Sequence, residues 1–216
     1  MNLVSEAVKI AENEWKNWNS IQETIKQIDI EEDQYQEELF QSLCIQGDSH
    51  LMNNTIWQGI LQVLSKQMKG KTLQVIYSSF KDGYWVKQLI SLAGNSAPTF
   101  LLLELENKDK IGVYRDDTWI NDKGGYGSIN TYLLLFQNNQ VLYWKGQQVD
   151  GFQHVIYIRS SDDAILIGAG GKKGIALHIS QDLLQGYSEE SDVFQSPALQ
   201  SSPFFTIQNI ELYSII

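Results

Sequence analysis

From Ser5 to Ile28 the larger apolar residues fall at Val8, Ala11, Trp15, Trp18, Ile21, Ile25 and Ile28. Steps of three and four draw one stripe along an amphipathic helix. A second helical stretch, about Glu31 to Leu43, carries Tyr35, Leu39, Phe40 and Leu43 among acidic side chains, and Gly47 supplies a stop. Neither stretch holds a proline or an internal glycine. A third helix is predicted from Thr55 through Ile56, Trp57, Ile60, Leu61 and Leu64 to the Lys69-Gly70-Lys71 turn, with Asn53-Asn54-Thr55 as its N-cap.

Beyond Gly70 the period changes to two. Leu73–Tyr77, Thr99–Leu105, Ile111–Tyr114, Tyr132–Phe136, Gln140–Trp144, Val155–Arg159 and Ile207–Tyr213 read as strands, with turns at Asn138-Asn139, Asp150-Gly151 and Ser160-Ser161-Asp162. Tyr84 to Leu92 is the one further helix expected there. Short connections between about nine strands predict an α+β, mainly β protein. Its expected core is a two-sheet antiparallel β-sandwich flanked by helices, preceded by an N-terminal helical segment. The expected division is an acidic amphipathic extension over residues 1–50 and a β domain over 51–216. The apolar stripe of the extension either packs on the rest of the chain or docks another protein, with Trp15 and Trp18 as candidate contacts.

The glycine-rich stretch Ile165 to Ser180 raises the question of a phosphate site. A P-loop needs Gly-Lys-Ser or Gly-Lys-Thr after a glycine and four residues, and no glycine here starts that spacing. In the dinucleotide pattern Lys173 stands where the third glycine belongs. Both motifs also lead into a helix, whose first amides bind the anion. Here Ile175, Leu177 and Ile179 alternate instead, so Asp163–Ile167 and the residues after Gly174 form a hairpin whose glycines serve the turn. Lys172 and Lys173 at its tip are candidate contacts for a protein partner.

Composition narrows the field further. No apolar run reaches the roughly 20 residues of a membrane span, and Met1 to Glu6 has no basic, then apolar, secretory pattern. A cytoplasmic protein without direct membrane insertion is expected. Cys44 is the one cysteine, so no intrachain disulfide or cysteine metal cluster forms, and its acidic helix disfavours a reactive thiolate. The formal charge is −10, and residues 1–55 hold 11 acidic and 3 basic side chains, a net of −8. With no basic face, binding to nucleic acid or anionic lipid is not expected.

Convergent catalytic groups are scarce. His50, His154 and His178 are far apart in the chain. His178, Ser180 and Asp182 alternate, but residues two apart on a strand stand roughly 6–7 Å apart, too far for direct relay without a bend. Exposed strand polarity is the simpler reading. Asp116-Asp117 reads as a solvated turn. Glu211, in an otherwise apolar final strand, is either a solvent-facing residue or a buried carboxylate that needs hydrogen-bond donors. The chain is expected to be no enzyme and to need no cofactor or metal.

The strand region resembles a known family. Ile76-Tyr77-Ser78-Ser79-Phe80-Lys81-Asp82-Gly83, Pro98-Thr99-Phe100-Leu101-Leu102, Ile111-Gly112-Val113-Tyr114 with Trp119, Tyr126-Gly127 and Tyr143-Trp144-Lys145-Gly146 follow the order of the TLDc domain. Ile167-Gly168-Ala169-Gly170, Asp182-Leu183, Gly186-Tyr187-Ser188 and Ile210-Glu211-Leu212-Tyr213 complete it, from near Ile56 to the C-terminus. Where many members carry a cysteine before an "FGN" turn, this chain has Ser191 ahead of Phe194-Gln195-Ser196, so the resemblance does not imply direct thiol chemistry here. It implies a protein-interaction module that binds the cytosolic V1 sector of the vacuolar proton-pumping ATPase, with a looser link to oxidative-stress protection. Glu211, in the terminal strand, is a further candidate contact. The alternative is a structural adaptor in a cytoskeletal or ciliary assembly, anchored by its N-terminal helices. A hydrolase using His178 and Ser180 is the weakest reading.

Overall fold

The computed structural model describes residues 44–120, 125–149, 156–159, 164–170 and 172–216, together with Lys16, Ser20, Gln22, Glu23, Lys26 and Gln27. The chain divides into two compact units, Met1–Ser42 and Leu43–Ile216. In the first, the six described residues are helical. The rest of residues 1–43, Trp15 and Trp18 included, lies outside the described residues.

The second unit contains, in order, β1 (Ile45–Gln46), α1 (Asn54–Met68), β2 (Leu73–Ser78), α2 (Ser79–Asp82), α3 (Val86–Ala93), β3 (Thr99–Leu105), β4 (Lys110–Arg115) and β5 (Gly125–Tyr126). There follow β6 (Tyr132–Gln137), β7 (Gln140–Lys145), β8 (Ile156–Arg159), β9 (Ala164–Ile167), β10 (Leu177–Ile179), β11 (Gln185–Tyr187) and β12 (Phe204–Ile215). The mainly β class expected from the period-two segments is what forms. Pairing runs as one path, β5-β8-β9-β10-β11-β12-β3-β4-β6-β7, with β2 also on β12 and β1 on β2. Every pair is antiparallel except β1 with β2. Strand β12 joins the two halves of this path, because its twelve residues hold β11 at Phe204–Thr206 and β2 further on, with β3 along the other edge.

Both halves contribute to one apolar core. Leu101, Leu103, Val113 and Leu133 belong to the same buried cluster as Ile165, Ile167, Leu177 and Ile179. Each fully buried side chain of this kind contributes about 1.5–3 kcal/mol. Helix α1 packs against β6 and β7, and its buried stripe is Ile56, Trp57, Ile60, Leu64 and Met68. Gly59 permits the close approach: a Cβ there would come within 2.9 Å of the Phe136 ring.

Helix α1 begins as the sequence indicates. Asn53 is extended at its N-cap, and its side-chain oxygen accepts from the Ile56 amide at 2.9 Å. Asn53→Ala leaves that amide without its partner and is expected to cost about 1 kcal/mol of stability, read by urea unfolding. A midpoint equal to that of the parent protein would show the cap to be idle.

Candidate functional site

The glycine-rich hairpin does hold an anion, and the anion is its own chain's carboxylate. The backbone amides of Lys172 and Lys173 donate to Asp192 Oδ2 at 2.7 and 3.1 Å. These two bonds, that from Lys172 first, hold the Asp192 carboxyl below its ordinary range. The Lys173 ammonium donates to Glu190, which raises its pKa. The Lys172 and Lys173 amides are therefore occupied, and of the two candidate lysines Lys173 is tied into an acidic rim while the exposed Lys172 keeps its side chain at the surface.

Ser180 and Asp182 do come together. Ser180 Oγ donates to Asp182 Oδ1 at 2.5 Å and accepts from the Gln185 amide at 3.0 Å, while the Leu184 amide donates to Asp182 at 3.1 Å. The chain bends sharply between β10 and β11, and the pair ties that turn. Those contacts, led by Ser180, lower the Asp182 pKa. His178 lies on β10 opposite Tyr187 and Leu166, as a strand residue of the ladder. Asp116 and Asp117 likewise serve a turn: Ser128 donates to Asp116 through its hydroxyl and to Asp117 through its amide, at 2.5 and 2.6 Å. Among the described residues no cluster of three or more His, Cys, Asp or Glu side chains could hold a metal ion. No described helix is long and apolar enough to cross a membrane.

Glu211 is fully buried, which corrects the solvent-facing reading and removes its carboxylate from the surface on which a partner could touch it. Its Oε1 accepts from the His50 amide at 3.0 Å and Ser78 Oγ at 3.1 Å. Its Oε2 accepts from Ser49 Oγ at 2.9 Å, the Leu51 amide at 3.2 Å and the Tyr213 hydroxyl. Burial, then the neighbouring Glu211, pushes the Tyr213 phenol well above its ordinary pKa, so it remains a donor. The cluster pins Ser49–Leu51, near the start of the second unit, onto the last strand. Residues 45–50, assigned by sequence to the extension, thus belong with the β domain.

The surface beside this cluster is aromatic. Phe80 is 50% and Trp85 55% exposed, and the Phe80 ring lies 4.4 Å from that of His50, centroid to centroid. The hydroxyl oxygen of Ser79, adjacent to Phe80, accepts from the Ile210 amide at 3.0 Å. The sequence places Trp85 in the helix expected over Tyr84 to Leu92 and Phe80 in the stretch Ile76 to Gly83, outside any expected helix, and marks neither as exposed. Nothing in the period separates an outward aromatic from an inward one in elements as short as α2.

A family model for the TLDc domain matches residues 45–216. The chain is 23% identical over 198 residues to oxidation resistance protein 1 of Bos taurus, covering 91% of this chain and 21% of that protein. It is 23% identical over 168 residues to nuclear receptor coactivator 7 of Gallus gallus, covering 77% of this chain and 18% of that protein. The chain thus spans about a fifth of the length of the curated relatives it matches.

Proposed function

The chain belongs to the TLDc domain family, and from that premise we propose that it is a non-enzymatic cytoplasmic interaction module that binds and regulates the V1 sector of the vacuolar proton pump. A link to oxidative-stress protection accompanies that role, in keeping with relatives that carry oxidation resistance in their names. The observation that carries the binding reading is where the reactive groups are spent. Glu211, Asp192, Asp182 and Ser180 each bond backbone amides of neighbouring segments, whereas Phe80, Trp85, Tyr143 and Phe204 stand exposed. Polar groups hold the frame, and large apolar side chains face outward, where contact with a protein would bury them.

The test is direct binding of purified V1 to the immobilised full chain. Expected is saturable binding that survives removal of residues 1–42 and weakens with Lys172→Glu. Absence of V1 binding by the full chain would overturn the proposal. Capture of cytoskeletal proteins that depends on residues 1–42 would replace it with the adaptor reading.

A further inference from the structure

Strand β7 ends the hydrogen-bonded path, and among the described residues no strand pairs with its far side. The direction of its free groups follows from register. Asn138 and Asn139 both have positive φ, 51° and 58°, and make a two-residue hairpin turn between Gln137 and Gln140. In such a hairpin the flanking pair is hydrogen-bonded and the pattern alternates thereafter. Gln140, Leu142 and Trp144 therefore bond β6, and the Gly146 amide continues the series by donating to the Thr131 carbonyl at 2.8 Å. The N–H and C=O groups of Val141, Tyr143 and Lys145 point away from β6, along the open edge.

Clefts flank this edge on both faces of the sheet. On the α1 side lies a cavity of about 1010 Å³, walled by Val141 and Phe136 and rich in carboxamides such as Asn54, Gln58, Gln62 and Asn139. On the other side lies a cavity of about 350 Å³ between Leu142 and Trp144 of β7 and the segment containing Pro197 and Leu199. Leu142 is 41% and Tyr143 54% exposed. A strand laid beside β7 sends successive side chains to opposite faces. Every second one would meet the cleft walled by Leu142 and Trp144, and the others the carboxamide-lined side.

We propose that β7 is a docking edge for an extended segment of a partner protein, which adds to the sheet as a further strand with apolar residues at every second position. Main-chain bonds to Val141, Tyr143 and Lys145 supply affinity, and the two unlike clefts supply selectivity. The inference rests on the reading of this chain as an interaction module and assigns that module a specific surface.

The probe is a phage-displayed library of random dodecapeptides selected on the full chain, with synthetic copies of the enriched peptides measured by calorimetry. Enriched sequences should alternate apolar and polar residues. Tyr143→Pro removes an outward N–H without touching the ladder to β6, since proline is tolerated where the N–H faces outward at an edge. It should weaken binding about tenfold or more. Tyr143→Thr, which keeps the N–H, should bind within about threefold of the parent protein. Peptide should also slow hydrogen exchange at the Val141 and Tyr143 amides, a readout independent of any variant. No enriched peptide, equal binding by Tyr143→Pro, or unchanged exchange at those amides would overturn the proposal. A concentration-dependent dimer abolished by Tyr143→Pro would overturn it too, assigning the edge to a second copy. V1 binding unaffected by Tyr143→Pro would sink this edge and leave the pump reading standing, whereas peptide binding at β7 without V1 binding would do the reverse.

Discussion

Glu211→Ala is expected to lower the free energy of unfolding by about 3–5 kcal/mol, because it strands buried donors around a site built for a carboxylate. Five donors converge on the two oxygens. Three of them, the hydroxyls of Ser49, Ser78 and Tyr213, can rotate and find other partners. The amides of His50 and Leu51 cannot. They are fixed by the backbone, and they address different oxygens, His50 on Oε1 and Leu51 on Oε2. Glu211→Gln consequently fails as well, although it preserves shape. Whichever way the carboxamide is turned, its NH₂ group meets one of the two fixed N–H groups. A loss of about 1–3 kcal/mol is expected for Gln, between the parent protein and Ala. Guanidinium unfolding gives the order, and faster hydrogen exchange at His50 and Leu51 gives the place. A Gln variant as stable as the parent would show that the carboxylate is not what holds Ser49–Leu51 down.

The two readings left open for Glu211 show where sequence information stops. Alternation within β12 sets Ile210 and Leu212 on the core side and Glu211 and Tyr213 on the other. A single strand reads that other face as solvent. What covers it is Ser49–Met52, about 160 positions away in the chain, and no local period reports a contact at that distance. The same limit explains the early domain boundary. Ile45–Gln46 is a two-residue strand paired in parallel with Leu73–Gln74, too short to show any period of its own. By contrast β3, predicted over Thr99–Leu105, has those bounds, because a run of leucines buried on both faces needs no partner to be recognised.

Turn chemistry was legible in part. Asn138-Asn139 announces its hairpin through the left-handed tolerance of asparagine, and both residues adopt positive φ. In the glycine-rich loop the glycines mark a turn, but the amides' occupant, Asp192, comes from a later loop and leaves no trace in the spacing. Ser180 and Asp182 illustrate the opposite error. Their spacing suggests one strand face, yet β10 ends at Ile179, and the bend that follows brings the two side chains into direct contact.

A matched pair of glycines separates backbone strain from packing and yields the second large effect. Gly168 has φ +69° and Gly70 φ +68°, so alanine at either position meets the same left-handed penalty of about 1–2 kcal/mol. Their surroundings differ. At Gly70 nothing lies within 4 Å of an added Cβ. At Gly168 the methyl would stand 2.7 Å from Phe194 Cδ2 and 2.9 Å from Ala176 Cβ, and both neighbours are buried. Overpacking of that kind adds about 1–3 kcal/mol. The Gly168 carbonyl also accepts from the buried Ser191 hydroxyl at 3.0 Å, so backbone movement to relieve the clash works against that bond. Gly168→Ala is thus expected to cost about 2–5 kcal/mol and Gly70→Ala only the lower, purely conformational part. Urea midpoints of the two variants, compared at equal m, measure the difference. Equal losses would mean that Phe194 yields freely. The glycine at 168 would then be required for its backbone conformation alone, and the close packing of the hairpin onto Phe194 would contribute nothing to its choice.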